Sequence, residues 1–113
     1  MENDLLSREE FKKQVFARTN GKCCVPDCNC DAVDAHHIMD RKLYSNGGYY
    51  IVNGAALCSK HHLEAEKGII TPLDCMHYMN LNIEECQIPD KIELTREEYL
   101  ELFCSGKLNK WGE

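Results

Sequence analysis

Cys58-Ser59-Lys60-His61-His62-Leu63-Glu64-Ala65-Glu66, residues 58–66, decides how the chain is read. If the segment is helical, residues three or four apart share a face and adjacent residues point about 100° apart. Cys58 and His61 then lie on one face, and His62 and Glu66 on another. One short helix thus offers two separate pairs of metal-ligating side chains. Leu57 to about Lys67 is predicted as this helix, with Gly68 as its stop.

Partners for the first pair lie upstream. Cys23-Cys24-Val25-Pro26-Asp27-Cys28-Asn29-Cys30 is a turn-rich knuckle. Structural zinc takes four soft or borderline ligands in a tetrahedron. Cys23, Cys28, Cys58 and His61 supply three thiolates and one imidazole. Cys24 and Cys30 compete for a place in this set, although Cys28-x-Cys30 is too tight to chelate comfortably. Such a zinc would pin the helix to the knuckle and fix everything between them. Cys75, Cys86 and Cys104 have no paired spacing and are read as packing residues.

Partners for the second pair lie in Asp34-Ala35-His36-His37-Ile38, predicted as part of a strand from Val33 to Ile38. Side chains alternate along a strand, so His36 and His37 cannot point the same way. One metal ligand and one base is the natural division. A phosphodiesterase needs both: a group near neutral pKa to take a proton from water, and a divalent cation to stabilise developing charge. His36, His62 and Glu66 would be the ligands and His37 the base. Arg41 and Lys42 follow in a loop and are candidates for binding phosphate. Asn53 has two readings, a residue of this constellation or half of an Asn-Gly turn with Gly54.

Outward from this centre, Ser7 to Glu10 reads as a capping box opening a helix over residues 8–19, which Asn20-Gly21 ends. Ser45 to Gly48 is a turn cluster. Tyr49 to Val52 is rich in strand formers, with one Tyr expected in the core and one outside. Thr71-Pro72-Leu73-Asp74 opens a helix running to about Met79, and Thr95 to Glu98 opens a last one ending before Gly106. Residues 1–70 form the core with its N-terminal helix. Residues 71–113 form an acidic helical extension of the same domain. Asn109 to Glu113 reads as a loose end or linker.

The 113 residues carry a net charge of −6, which argues against sequence-blind DNA binding through protein charge alone. The acidity is uneven. Residues 36–67 hold three acids and four bases, whereas residues 68–113 hold nine acids and four bases. A divalent ion would make the middle segment locally positive. Eight cysteines without a secretory signal, and beside histidines, favour metal binding over disulfides. No long apolar run is present, so the expectation is a cytoplasmic protein with no membrane partner.

Between Gly21 and about Lys67 the pieces CCVPDC, VDAHHIMDR, GGYYIVNGAALC and SKHHLEAE resemble the HNH endonuclease family. The resemblance implies an α+β fold with a ββα-metal (His-Me finger) core, a structural zinc knuckle and flanking N- and C-terminal helices. It implies hydrolysis of DNA phosphodiester bonds with His37 as general base, Asn53 and His62 completing the namesake set, and Mg2+ or Mn2+ beside a structural Zn2+. Two features depart from the usual pattern. His61 stands where a cysteine is more common, and Glu66 where a histidine or asparagine is; a carboxylate suits a harder ion. The wider wording also resembles phage HNH modules, some linked to RNA ligases, and leaves open a phage RNA ligase or packaging system as partner. One active site per chain implies nicking, with a homodimer left open for double-strand cleavage. The alternative is a non-catalytic zinc-binding module that recruits a protein or nucleic-acid partner.

Overall fold

In the computed structural model, which describes residues 5–105, the chain opens on a helix fixed at its start by Ser7, whose hydroxyl accepts the Glu10 N–H at 3.1 Å. This helix, α1, spans Arg8–Ala17. Asn20 and Gly21 follow it in the left-handed region, with φ of 53° and 79°. They terminate it two residues before the predicted end. The inner face of α1 carries Phe11 and Val15, both buried. Each contributes about 1.5–3 kcal/mol by leaving water.

Strand β1 (Asp34–His37) pairs antiparallel with β2 (Gly54–Leu57), His36 opposite Ala55 and His37 opposite Gly54. The placement of β2 corrects two sequence expectations. Tyr49–Val52 is not the strand; Ile51–Asn53 forms a 3-10 turn leading into it. Asn53-Gly54 is not a left-handed turn either, since Gly54 has φ −121° and is already extended. Packing space explains the shift. A Cβ on Gly54 would lie 2.4 Å from Val15 Cγ2 and 2.9 Å from Phe11 Cζ. Only a strand of small residues, Gly54-Ala55-Ala56, lets α1 approach this closely, and the bulky Tyr49 and Tyr50 could not occupy that position. Both tyrosines are half-buried, so the expected one-in, one-out division does not hold.

The knuckle leans on the outer edge of β2, where Cys24 N–H donates to Ala56 O (2.8 Å), and just before β1 Val33 N–H donates to Leu57 O (2.9 Å). Within the knuckle, Cys23 N–H reaches Cys30 O at 2.9 Å and Cys28 N–H reaches Val25 O at 3.1 Å. Helix α2 (Ser59–Glu66) follows β2 at once, with Cys58 as its N-cap.

Helices α3 (Pro72–Tyr78) and α4 (Arg96–Cys104) complete the described chain. Each begins with a reciprocal capping box, Thr71 with Asp74 and Thr95 with Glu98, as their sequences predict. One cluster of buried side chains joins the two halves of the chain: Phe11, Val15, Met39 and Leu57 with Cys75, Met76, Tyr99 and Phe103. The architecture is therefore α+β, a two-stranded sheet with four α-helices among the described residues. Cys75 and Cys86 are buried as expected, but Cys104 is exposed and is not a packing residue. The Asn109–Glu113 ending lies outside the described residues. None of the described helices is long and apolar enough to cross a membrane.

Candidate functional site

The two faces expected of α2 are present in the structure, each bearing side chains that could hold a metal ion. On one face, Cys58 Sγ lies 3.2 Å from His61 Nδ1. The knuckle brings Cys23 Sγ to 3.4 Å from the same nitrogen and Cys28 Sγ to 4.0 Å from Cys58 Sγ. One donor atom from each of Cys23, Cys28, Cys58 and His61 lies within 4.8 Å of every other. A tetrahedron built on zinc–sulfur and zinc–nitrogen bonds has edges of about 3.8 Å between sulfurs and about 3.5 Å from sulfur to nitrogen. The four donors fit that frame, so these residues could hold a metal ion such as zinc. Cys24 and Cys30, the competitors in the sequence, stand outside the set.

The thiols differ in acidity for local reasons. The Cys30 backbone N–H holds the Cys28 thiol below its ordinary value. Burial raises Cys58, but the His61 backbone N–H and the Cys23 and His61 side chains outweigh it and leave the thiol below its ordinary value. Burial pushes Cys23 up to about 11 and Cys24 up to about 12. Cys24 therefore stays a neutral, packed thiol.

On the other face of α2, His62 Nε2 lies 3.3 Å from Glu66 Oε1, the two residues being one helical turn apart. His36 reaches the same carboxylate oxygen from β1, with Nδ1 at 3.6 Å. The His36 and His62 rings meet edge to face, centroids 5.3 Å apart. These three side chains form a second group that could hold a metal ion. Its chemistry is harder than the first, with two imidazoles and a carboxylate and no sulfur. Asp34 stands outside this group but touches it, its Oδ2 lying 3.1 Å from His62 Nδ1. Asp34 and His36 are two apart on β1 and so face the same side.

His37 turns to the other side of β1. Its ring stacks on Phe11 of α1, centroids 5.0 Å apart at 28°, and meets Tyr49 edge-on at 4.9 Å. Nothing in the sequence assigns Phe11 or Tyr49 a role beyond packing; together they fix the plane of His37. His37 nevertheless lines the cleft, of about 260 Å³, together with His36, His62, Glu66, Arg41 and Lys42, while its Nε2 is buried.

Asn53 does not touch the histidines with its side chain. It is 4 % exposed and ties together the loop between the strands. Its Nδ2 donates to Met39 O (3.1 Å) and Gly48 O (3.3 Å), and its Oδ1 accepts Met39 N–H (2.9 Å). Its backbone carbonyl accepts Ile38 N–H at 2.9 Å. Asn53 thereby fixes the exit of β1, immediately after His37. Compared with protein-family models, with curated proteins and with solved structures, the chain gives no significant match.

Proposed function

We propose that the protein is a metal-dependent endonuclease of the HNH type, in which β1, β2 and α2 act as a ββα-metal core and DNA is the substrate. One observation carries this reading: His37 lines the same cleft as His36, His62 and Glu66, with Arg41 and Lys42 on its wall. In this reading Cys23, Cys28, Cys58 and His61 bind zinc and hold α2 against the knuckle. His36, His62 and Glu66 hold Mg2+ or Mn2+, and this ion, when bound, stabilises charge on the phosphodiester and its leaving oxygen.

The remaining chemistry belongs to the chain. His37 takes the proton of the attacking water, with its ring plane held by Phe11 and Tyr49. Asn53 acts through the backbone, holding Ile38 and Met39 so that His37 cannot drift from the cleft. Arg41 and Lys42 neutralise the scissile phosphate or its neighbour. A single base facing a single ligand triad cuts one strand at a time.

The test is incubation of the full chain with supercoiled plasmid and Mg2+ or Mn2+, beside His37→Ala. The expected result is relaxed circles from the wild type and a loss of about 10²–10⁴-fold in the variant, the range of a general base. Equal cutting by both proteins, or none by either, overturns the reading. Zinc retained with no cutting would leave a zinc-binding module.

A further inference from the structure

We infer that α1 is part of the substrate-binding surface, and that Arg8 and Lys12 hold a DNA backbone phosphate next to the scissile one, across His37 from the ligand triad. This role for α1 rests on the endonuclease reading and extends it to a helix outside the resembling segment.

Two clefts meet at His37. The first holds the triad. The second, of about 320 Å³, is bounded by Arg8 and Lys12 on α1, by Tyr49, and by His37 and Arg41, which line both clefts. A strand whose phosphate reaches His37 from the triad side therefore continues past the ring into a space rimmed by cations. Glu9 and Asp34 also line this second cleft, so three bases face two acids there. The excess is local. It runs against the −6 charge of the whole chain and lies where a polyanion must pass.

Helix periodicity singles out these two bases. Arg8 stands three before Phe11 and four before Lys12, so its face of α1 borders both, while the adjacent Phe11 and Lys12 point about 100° apart. Phe11 is 2 % exposed and stacks on His37. The residue that fixes the plane of His37 thus stands beside both bases on α1. Lys13, also exposed on the same helix, lines neither cleft. The Lys12 ammonium rests 5.5 Å above the Phe16 ring, which holds the long side chain along the helix rather than adrift.

A phosphate bound away from the reacting bond is held equally in the ground and transition states. It strengthens binding without speeding the chemical step. Losing the neutralisation of one duplex DNA phosphate lowers the slope of log K against log salt by about 0.9.

The experiment uses the full chain and a fluorescein-labelled duplex DNA. Binding is measured in the His37→Ala background across about 50–200 mM salt, and cleavage in the wild-type background. Arg8→Ala/Lys12→Ala is compared with Lys13→Ala. Both altered bases are exposed, and a thermal melt checks that each variant is folded. The double variant is expected to bind about tenfold or more weakly at low salt, with the slope reduced by about 0.9 for the one phosphate the pair holds. Its KM should rise with kcat nearly unchanged, while Lys13→Ala behaves as the parent. Equal affinity and slope in the double variant, with the wild type still cutting, overturns the α1 clamp and leaves the endonuclease standing. Weakened binding with no cutting by the wild type keeps the clamp and overturns the endonuclease.

Discussion

Asp34 Oδ2 lies 3.1 Å from Nδ1 of His62, while the other nitrogen of that ring lies 3.3 Å from Glu66 Oε1. An ionised carboxylate only accepts, so with Nε2 given to an ion in the triad the ring proton sits on Nδ1, toward Asp34. In the proposed metal site Asp34 is therefore a positioning residue for His62. Asp34→Ala is expected to weaken Mn2+ binding by about 10–100-fold, the usual cost of losing such a partner. Calorimetric titration with Mn2+ measures it, and zinc content should stay constant. An unchanged Mn2+ affinity would remove Asp34 from the site.

Zinc content and metal removal separate the two centres. Elemental analysis should give one zinc per chain. Cys58→Ser should lose it, together with the cooperative melt, because Cys58 belongs to the four-donor set. His61→Cys should keep the metal, since a thiolate suits the same tetrahedron. Glu66→Gln should keep both zinc and the melt while losing the second ion. A Cys58→Ser protein that melts like the wild type would show that the knuckle needs no metal.

Asn53 offers a stability measurement independent of catalysis. Its side chain makes three hydrogen bonds at 4 % exposure, and Asn53→Ala strands the Met39 N–H and two carbonyls. The expected loss is about 2–4 kcal/mol in urea unfolding. Gly54→Ala should cost about 1–3 kcal/mol by forcing a methyl against Val15 and Phe11. A loss below about 0.5 kcal/mol at Asn53 would mean that water replaces the broken bonds.

The two ligand faces of α2 are legible in the sequence because helical period and ligand chemistry agree there. Cys58 with His61 and His62 with Glu66 need only spacing. The capping boxes at Thr71 and Thr95 are legible for the same reason, being local. The second strand is not. Tyr49 to Val52 has the higher strand propensity, but Gly54 to Leu57 has the small side chains that the approach of α1 requires, and that demand comes from a helix far away in sequence. Asp34 stands two residues before His36 on one strand face, which strand period alone reveals. That His62 turns its second ring nitrogen to Asp34 depends on how α2 docks against β1, and spacing does not carry it. The pairing of α1 with His37 likewise depends on tertiary packing of Phe11 and has no local signature.

The acidic C-terminal part also meets the loop that follows the candidate site, and pH tests that junction. Asp90 Oδ1 accepts Ser45 N–H at 2.8 Å, and its other oxygen bonds the Ser45 hydroxyl. Nearby, Tyr44 OH donates to Gln87 O (2.8 Å) and Lys91 N–H to Leu43 O (3.0 Å). The Ser45 hydroxyl, followed by its backbone N–H, holds the Asp90 carboxyl below the usual 3.8. A carboxyl lowered on folding favours the folded loop above its unfolded pKa, and that contribution is lost as pH falls through the folded value. The Ser45 and Lys91 amides should therefore lose exchange protection below about pH 4, while Met39, bonded to Asn53, keeps it. Asp90→Ala should show the acid level of protection already at neutral pH, read by amide exchange in NMR spectra. Arg41 and Lys42 form the turn just before this junction. On the endonuclease proposal, the same variant should raise the KM for DNA by loosening Arg41 and Lys42, with kcat less affected. Protection at Ser45 that is indifferent to both pH and Asp90→Ala would show that the loop holds its shape without the C-terminal segment.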